Sequence, residues 1–219
     1  MALYDDFQSS VYSLVDGQTS PDKKWHCLYT GYGTAKIVKD STGRQYFNLS
    51  PKVSIRRGQT HAVAVQTTTT YKDVEITVDV CTLKQLRTGS PANNWETAWL
   101  DWNYIDEFHY YGFVLKIKGC QIEKKDNDTQ DDSAEIYLFE GAQSVKMGVW
   151  QKWRIRVTGT ATGKPTIQIW IDGVQIANYT DNKPNIQRNS PKMLNGGHIV
   201  LYTEDASVGF DNVNIGLPQ

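Results

Sequence analysis

Between Asn93 and Lys116 the chain gathers three tryptophans (Trp95, Trp99, Trp102), three tyrosines (Tyr104, Tyr110, Tyr111), His109 and the acids Glu96, Asp101 and Asp106. Sugar rings offer apolar C–H faces to aromatic planes and a rim of hydroxyls to carboxylates, amides and ammonium groups, so this is the composition a glycan cleft needs. Trp95, Trp99, Trp102 and Tyr110 are candidate stacking surfaces, with Asp101 and Asn103 as hydrogen-bonding partners. If the chain also does chemistry, Glu96 or Glu75 is an acid/base candidate for hydrolysis. Tyr111 or His109 would instead be the base of a β-elimination on a uronate, with Lys116 among the groups able to neutralise the carboxylate. The same residues also suit a structural reading, in which the aromatics are core and Lys116 pairs with Glu96 or Glu123.

A second pair of carboxylates, Glu75 and Asp79, stands four residues apart. On a strand such residues share a face about 13 Å apart, so side chains can lean together, although a solvated strand face explains them equally. Asp6 with Asp211 is a candidate calcium site, as is the Asp126–Asp132 stretch, because hard cations want several carboxylate oxygens. His26, His61 and His198 read as structural. Nucleophile-elbow, P-loop and dinucleotide fingerprints are absent, so no organic cofactor is expected. Cys27, Cys81 and Cys120 lack metal or disulfide-framework spacing and read as buried small hydrophobes. With 23 Lys+Arg against 24 Asp+Glu the net charge is −1, which argues against nucleic acid as a partner.

The elements that must position these groups are strands. Val, Ile, Thr, Tyr, Phe and Trp number 77 against 23 for Ala plus Leu, a composition that favours sheet over helix. Period-two alternation predicts strands over 61–66, 74–81, 96–104, 109–118, 135–139, 153–157, 166–171 and 198–202. In the second pair of these, Trp95, Thr97, Trp99, Asp101 and Asn103 share one face, and a hairpin across 105–108 would bring Glu96, His109, Tyr110 or Tyr111, and Lys116 within reach. Asp172-Gly173 is the strongest hairpin signal. One helical turn is expected near Ser9–Leu14 or Pro184–Arg188, and the terminal segments around Phe7 and Val208–Ile215 should pair. No linker divides the chain, so 1–219 is expected to be one domain, an antiparallel β-sandwich. No stretch is apolar enough to span a bilayer.

Asp5-Asp6-Phe7, Asp73–Asp79, Tyr110–Lys116, Trp150-Gln-Lys-Trp-Arg-Ile-Arg156, Ile169-Trp-Ile-Asp-Gly173 and Gly197–Glu204 followed by Val208-Gly-Phe-Asp-Asn-Val213 occur in an order that resembles the concanavalin-A-like lectin/glucanase superfamily. The chain is most similar there to laminin-G-like and keto-disaccharide-hydrolase-type domains. The resemblance implies an all-β jelly roll with few short helices, a polysaccharide or glycan partner, a structural calcium ion in some relatives, and an extracellular or cell-surface monomer whose export signal is not in these residues. Members include lectins, binding modules, glycoside hydrolases, polysaccharide lyases and adhesion domains, so fold alone does not choose. Glu75–Asp79 is similar to the Glu-x-Asp-x-Glu strand of laminarinase-type hydrolases, but departs from it at Thr77 and Asp79. Gln85-Leu-Arg87 and Leu115–Gly119 only faintly resemble alginate-lyase motifs. Carbohydrate recognition is the leading expectation, ahead of a hydrolase or lyase on the same fold and of a structural or adhesion module.

Overall fold

Alternating burial along most strands divides the chain into two sheets around one apolar layer. The computed structural model describes residues 2–126, 135–182 and 196–218. In chain order the first strands are β1 (Leu3–Asp5), β2 (Ser13–Leu14), β3 (Trp25–Tyr29), β4 (Thr34–Lys39), β5 (Gln45–Ser50) and β6 (Ala62–Thr67). There follow β7 (Val74–Gln85), β8 (Ala98–Asp106), β9 (His109–Leu115), β10 (Cys120–Asp126) and β11 (Glu135–Gly141). The last are β12 (Gln151–Thr158), β13 (Thr166–Ile171), β14 (Val174–Thr180), β15 (His198–Glu204) and β16 (Ala206–Gly216). Sheet I runs β14-β13-β12-β7-β16-β5-β4-β2, with β1 also on β16, and sheet II runs β11-β10-β9-β8-β15-β6-β3. Every pairing is antiparallel, as a jelly-roll sandwich requires.

The core lies between the sheets. On β7 and β12, Val74, Ile76, Val78, Trp153, Ile155 and Val157 point inward and polar residues alternate outward. Sheet II answers with Leu100, Trp102, Tyr111, Phe113 and Ile122. Phe113 meets Trp153 edge-on across the layer at 5.1 Å, and Trp102 stacks on Tyr111 at 5.9 Å. All three cysteines are buried free thiols; burial pushes Cys27 up to about 12 and Cys81 to about 11, so neither is a nucleophile at neutral pH.

The terminal strands pair as expected, Leu3 opposite Ile215 and Asp5 opposite Val213. Asp172 and Gly173, both at positive φ, close the β13–β14 hairpin. Ser9–Leu14 holds no helix: Ser13–Leu14 pairs with β4, and 184–188 lies outside the described residues. A single 3₁₀ turn, Thr160–Thr162, is the only helical element among the described residues, and none of them forms a helix long and apolar enough to cross a membrane. Strands β3, β4, β5 and β10 escape the alternation reading. In β10 the reason is Lys124, a cation on the core face, which breaks the apolar pattern of Cys120 and Ile122.

Sheet II differs from an ordinary exposed sheet face. Strand β10 and the first seven residues of β8 are buried throughout, although half of those residues point away from the core. Its outer face is therefore the floor of a groove.

Candidate functional site

Register sets the floor. Val200, Asp101, Gly112, Glu123 and Tyr137 lie opposite one another on β15, β8, β9, β10 and β11. The next row is Tyr202, Trp99, Val114 and Gln121. Glycine at 112 opens the centre, because a Cβ there would lie 2.9 Å from Asp101 Oδ1 and 3.4 Å from Glu123 Cγ. Those distances place Asp101 Oδ1 within about 6.3 Å of Glu123 Cγ, so two carboxyls face each other over a residue with no side chain. The register slip beside this row falls on β11, where Leu138 is the extra residue opposite the Ile122–Glu123 step.

Above this floor lie two adjoining cavities of about 300 and 220 Å³. Trp99, Glu123, Glu135 and Glu204 border both, and so mark the boundary between two compartments. Tyr104, Tyr110 and Tyr202 wall the larger one; Lys116 and Tyr137 belong to the smaller.

No arginine lines either compartment, and the electrostatics follow. Burial first, then repulsion from Glu135, lifts Glu123 to about 8, against hydrogen bonds from Tyr110 at 3.2 Å and Gln121 at 3.0 Å that favour its ionised form. Burial, aided by Glu123 and Glu204, raises Asp101 well above the carboxylate range. Its Oδ1 is buried and has no hydrogen-bond partner among the described residues, an arrangement that calls for a ligand or water. Glu204 is raised by burial but accepts from Tyr202 Oη at 2.7 Å and from the Trp95 side chain, which support its charge. Three carboxyls raised by burial thus share one groove.

The residue types singled out by the sequence divide between this groove and the scaffold. Trp95, Trp99, Asp101, Tyr110 and Lys116 line it. Lys116 donates to Gln121 Oε1 at 2.7 Å, not to Glu96. Glu96 is sealed away from it, pairing with Arg87 at 2.5 Å while the same guanidinium pairs with Asp205 at 2.6 Å. Tyr111 and Trp102 are core, and the Tyr111 hydroxyl donates to the buried Asp181 at 2.8 Å, which leaves it unable to act as a base on the groove. His109 sits on the core-side parity of β9, with Nδ1 2.7 Å from Asp106 at the hairpin end, and lines neither compartment. Asn103 is fully buried at φ 50°; this kink interrupts the alternation of β8 and moves Tyr104 onto the groove face in its place.

The other carboxylates are structural. Glu75 is met by Arg154 at 2.9 Å and Arg156 at 2.7 Å, which overcome the opposing effect of burial and hold it below its usual range. Asp79 and Asp211 share Arg44, at 2.9 and 2.8 Å, and Asp6 bonds the nearby Gln8 backbone. The guanidinium already occupies the place a cation at Asp211 would take. Among the described residues no three His, Cys, Asp or Glu side chains stand together as a metal cage, and 127–134 lies outside them.

Gly112, Tyr202 and Glu204 went unassigned in the sequence, with Glu123 expected only as an ion-pair partner of Lys116. Gln121, Glu123 and Lys125 do alternate with Cys120 and Ile122, a signal that Lys124 obscured.

Comparison with solved structures gives the same fold at low identity. A carbohydrate binding module, CBM66, from Bacillus subtilis superposes with a TM-score of 0.57 at 12% identity, over 87% of this chain and 94% of that one. A galectin-like-fold protein of unknown function from Bacillus subtilis gives 0.59 at 10% identity, over 97% of each. An endo-β-1,4-glucuronan lyase from the fungus Trichoderma reesei gives 0.55 at 9% identity, over 99% and 95%. No curated protein matches. The model of the 3-keto-alpha-glucoside-1,2-lyase-like domain matches residues 11–216, nearly the whole chain. This chain belongs to the 3-keto-alpha-glucoside-1,2-lyase-like domain family.

Proposed function

We propose that the groove of sheet II cleaves a glycosidic bond, with a disaccharide or longer glycan lying across the two compartments. The observation that carries this reading is the pair Asp101 and Glu123 facing each other over Gly112, both biased towards the protonated form by burial. A binding-only surface gains nothing from carboxyls held so far from their ordinary range, whereas an acid catalyst working near neutral pH does.

Glu123, at about 8, holds a proton at pH 7 and sits at the boundary of the compartments, where it can donate to the leaving glycosidic oxygen. Glu204, charge-supported by Tyr202 and Trp95, is the corresponding base. On a 3-keto α-glucoside the C3 carbonyl acidifies the C2 proton. Glu204 removes that proton, the C1–O bond breaks, and the departing oxygen takes the proton of Glu123, leaving a C1=C2 double bond conjugated with the ketone. Asp101 stays neutral and donates a hydrogen bond to a substrate oxygen. Trp99, Tyr110 and Tyr202 supply the ring contacts. A glycan substrate goes with action outside the cell or at its surface.

The test is incubation with a 3-keto α-disaccharide and with its unoxidised parent, following released sugar and the ultraviolet absorbance of the conjugated enone. Cleavage of the keto sugar with that absorbance is expected, with Glu123→Gln lowering the rate about 10²-fold or more while keeping affinity. Tight binding of both sugars with no product from either would instead establish a recognition domain. Failure to bind either would leave the aromatic block a structural feature.

A further inference from the structure

The groove continues past Trp95. This indole, 43% exposed, borders the smaller compartment on one side and a third cavity on the other. The third cavity, about 550 Å³, lies between the 56–60 and 87–95 segments. Its lining contrasts with the acid-rich lining of the first two. Arg57 and Arg87 line it, and no acidic side chain does.

The two arginines are not equivalent. Arg87 is committed to Glu96 and Asp205 and is only 3% exposed. Arg57 is exposed and has no ion pair among the described residues. On the same wall the Ser90 hydroxyl is buried without a hydrogen-bond partner among the described residues. An aromatic plate, an unneutralised guanidinium and a residue with an unsatisfied hydroxyl therefore border one space.

We propose that this cavity is an anion-reading subsite of the groove: a sugar ring rests on Trp95 and presents a carboxylate or sulfate to Arg57, with Ser90 donating a further hydrogen bond. The inference rests on the groove being a glycan site, and it adds that the favoured glycan is charged at one end only and has at least three units.

Calorimetry and tryptophan fluorescence on the full chain would test it, with maltotriose and the same trisaccharide carrying a C6 carboxylate or a C6 sulfate on either terminal ring. One of the charged ligands should bind roughly tenfold tighter than maltotriose, the scale of a hydrogen bond to a charged group. Arg57→Gln should remove that preference and leave maltotriose affinity within about twofold, since a lost exposed charge costs little elsewhere. The carboxylate and sulfate arms identify which anion is read. Equal affinity for neutral and charged trisaccharides, or a preference that survives Arg57→Gln, overturns the subsite while the groove reading stands. No binding of any of the ligands overturns both.

Discussion

The outer faces of the two sheets carry the same residue type and treat it in opposite ways. On sheet I, Glu75, Asp79 and Asp211 each lie within 2.9 Å of an arginine. On sheet II, Asp101, Glu123 and Glu204 are set among tyrosines and tryptophans, with no arginine lining the cavities. Burial raises a carboxyl pKa and a guanidinium lowers it, so on the first sheet two arginines drive Glu75 below its usual range, while burial still lifts Asp211 beside the single Arg44, and on the second Glu123 rises to about 8. Acidic residues that look alike in a sequence are thus separated by which cations the fold brings to them. The neutralised set holds strands together, and the desolvated set is left able to exchange protons with a ligand.

The largest expected contrast is between Glu123→Gln and Glu75→Gln. The first should lower turnover by about 10² to 10⁴, whereas the second should change it by less than about twofold and alter stability by no more than about 1 kcal/mol. Steady-state rates and thermal melts of the two variants, side by side, would collapse the comparison if they came out alike.

Next in size is Gly112→Ala. The added Cβ would press within 2.9 Å of Asp101 Oδ1 and fill the centre of the floor, so glycan affinity should fall roughly tenfold or more. Chemical denaturation should show the protein still folded; unimpaired binding would place the ligand elsewhere.

The pH response sharpens the same contrast. Glu123 is raised in the folded state, so the folded protein binds more protons than the unfolded chain between the ordinary glutamate range and about 8. Its contribution to stability is present at low pH and is lost as pH rises through about 8. Melts should therefore show higher stability at pH 5 than at pH 8.5 from this group, and Glu123→Gln should flatten that slope. The proton-donor role should fail as Glu123 ionises, with kcat/KM falling above about pH 8. A flat profile there would remove Glu123 from the role of proton donor.

The smallest effect concerns Asp211. Because Arg44 already pairs with Asp79 and Asp211, EDTA should leave the melting temperature unchanged, while Arg44→Met should destabilise by about 1 to 3 kcal/mol by leaving two carboxylates unpaired. A melting temperature that falls with EDTA and recovers with calcium would restore the Asp6 and Asp211 site.

Much of this architecture is written in local pattern. Period-two alternation, the Asp172-Gly173 turn and the complementary apolar ends require an antiparallel sandwich, because side chains on a strand alternate faces whatever else happens. The same rule put Trp95, Trp99 and Asp101 on one face of a strand, but the expected hairpin gathered Glu96 rather than Asp101 with Tyr110 and Lys116. What alternation could not supply was every interruption of it. The kink at Asn103 exchanged that residue for Tyr104, and Lys124 disguised a strand of the groove floor.

Partnership was beyond the sequence altogether. Neither Glu96, beside Trp95, nor Glu123, between Ile122 and Lys124, shows its partner in its immediate neighbours, yet one is locked to an arginine nine residues earlier and the other is left raised and desolvated in the groove. The sequence determined that this protein is a β-sandwich with a glycan-like set of side chains. Only the tertiary structure decided which acids keep their protons, because a carboxyl's charge depends on burial and on cations brought from distant strands, and neither is a property of its neighbours in sequence.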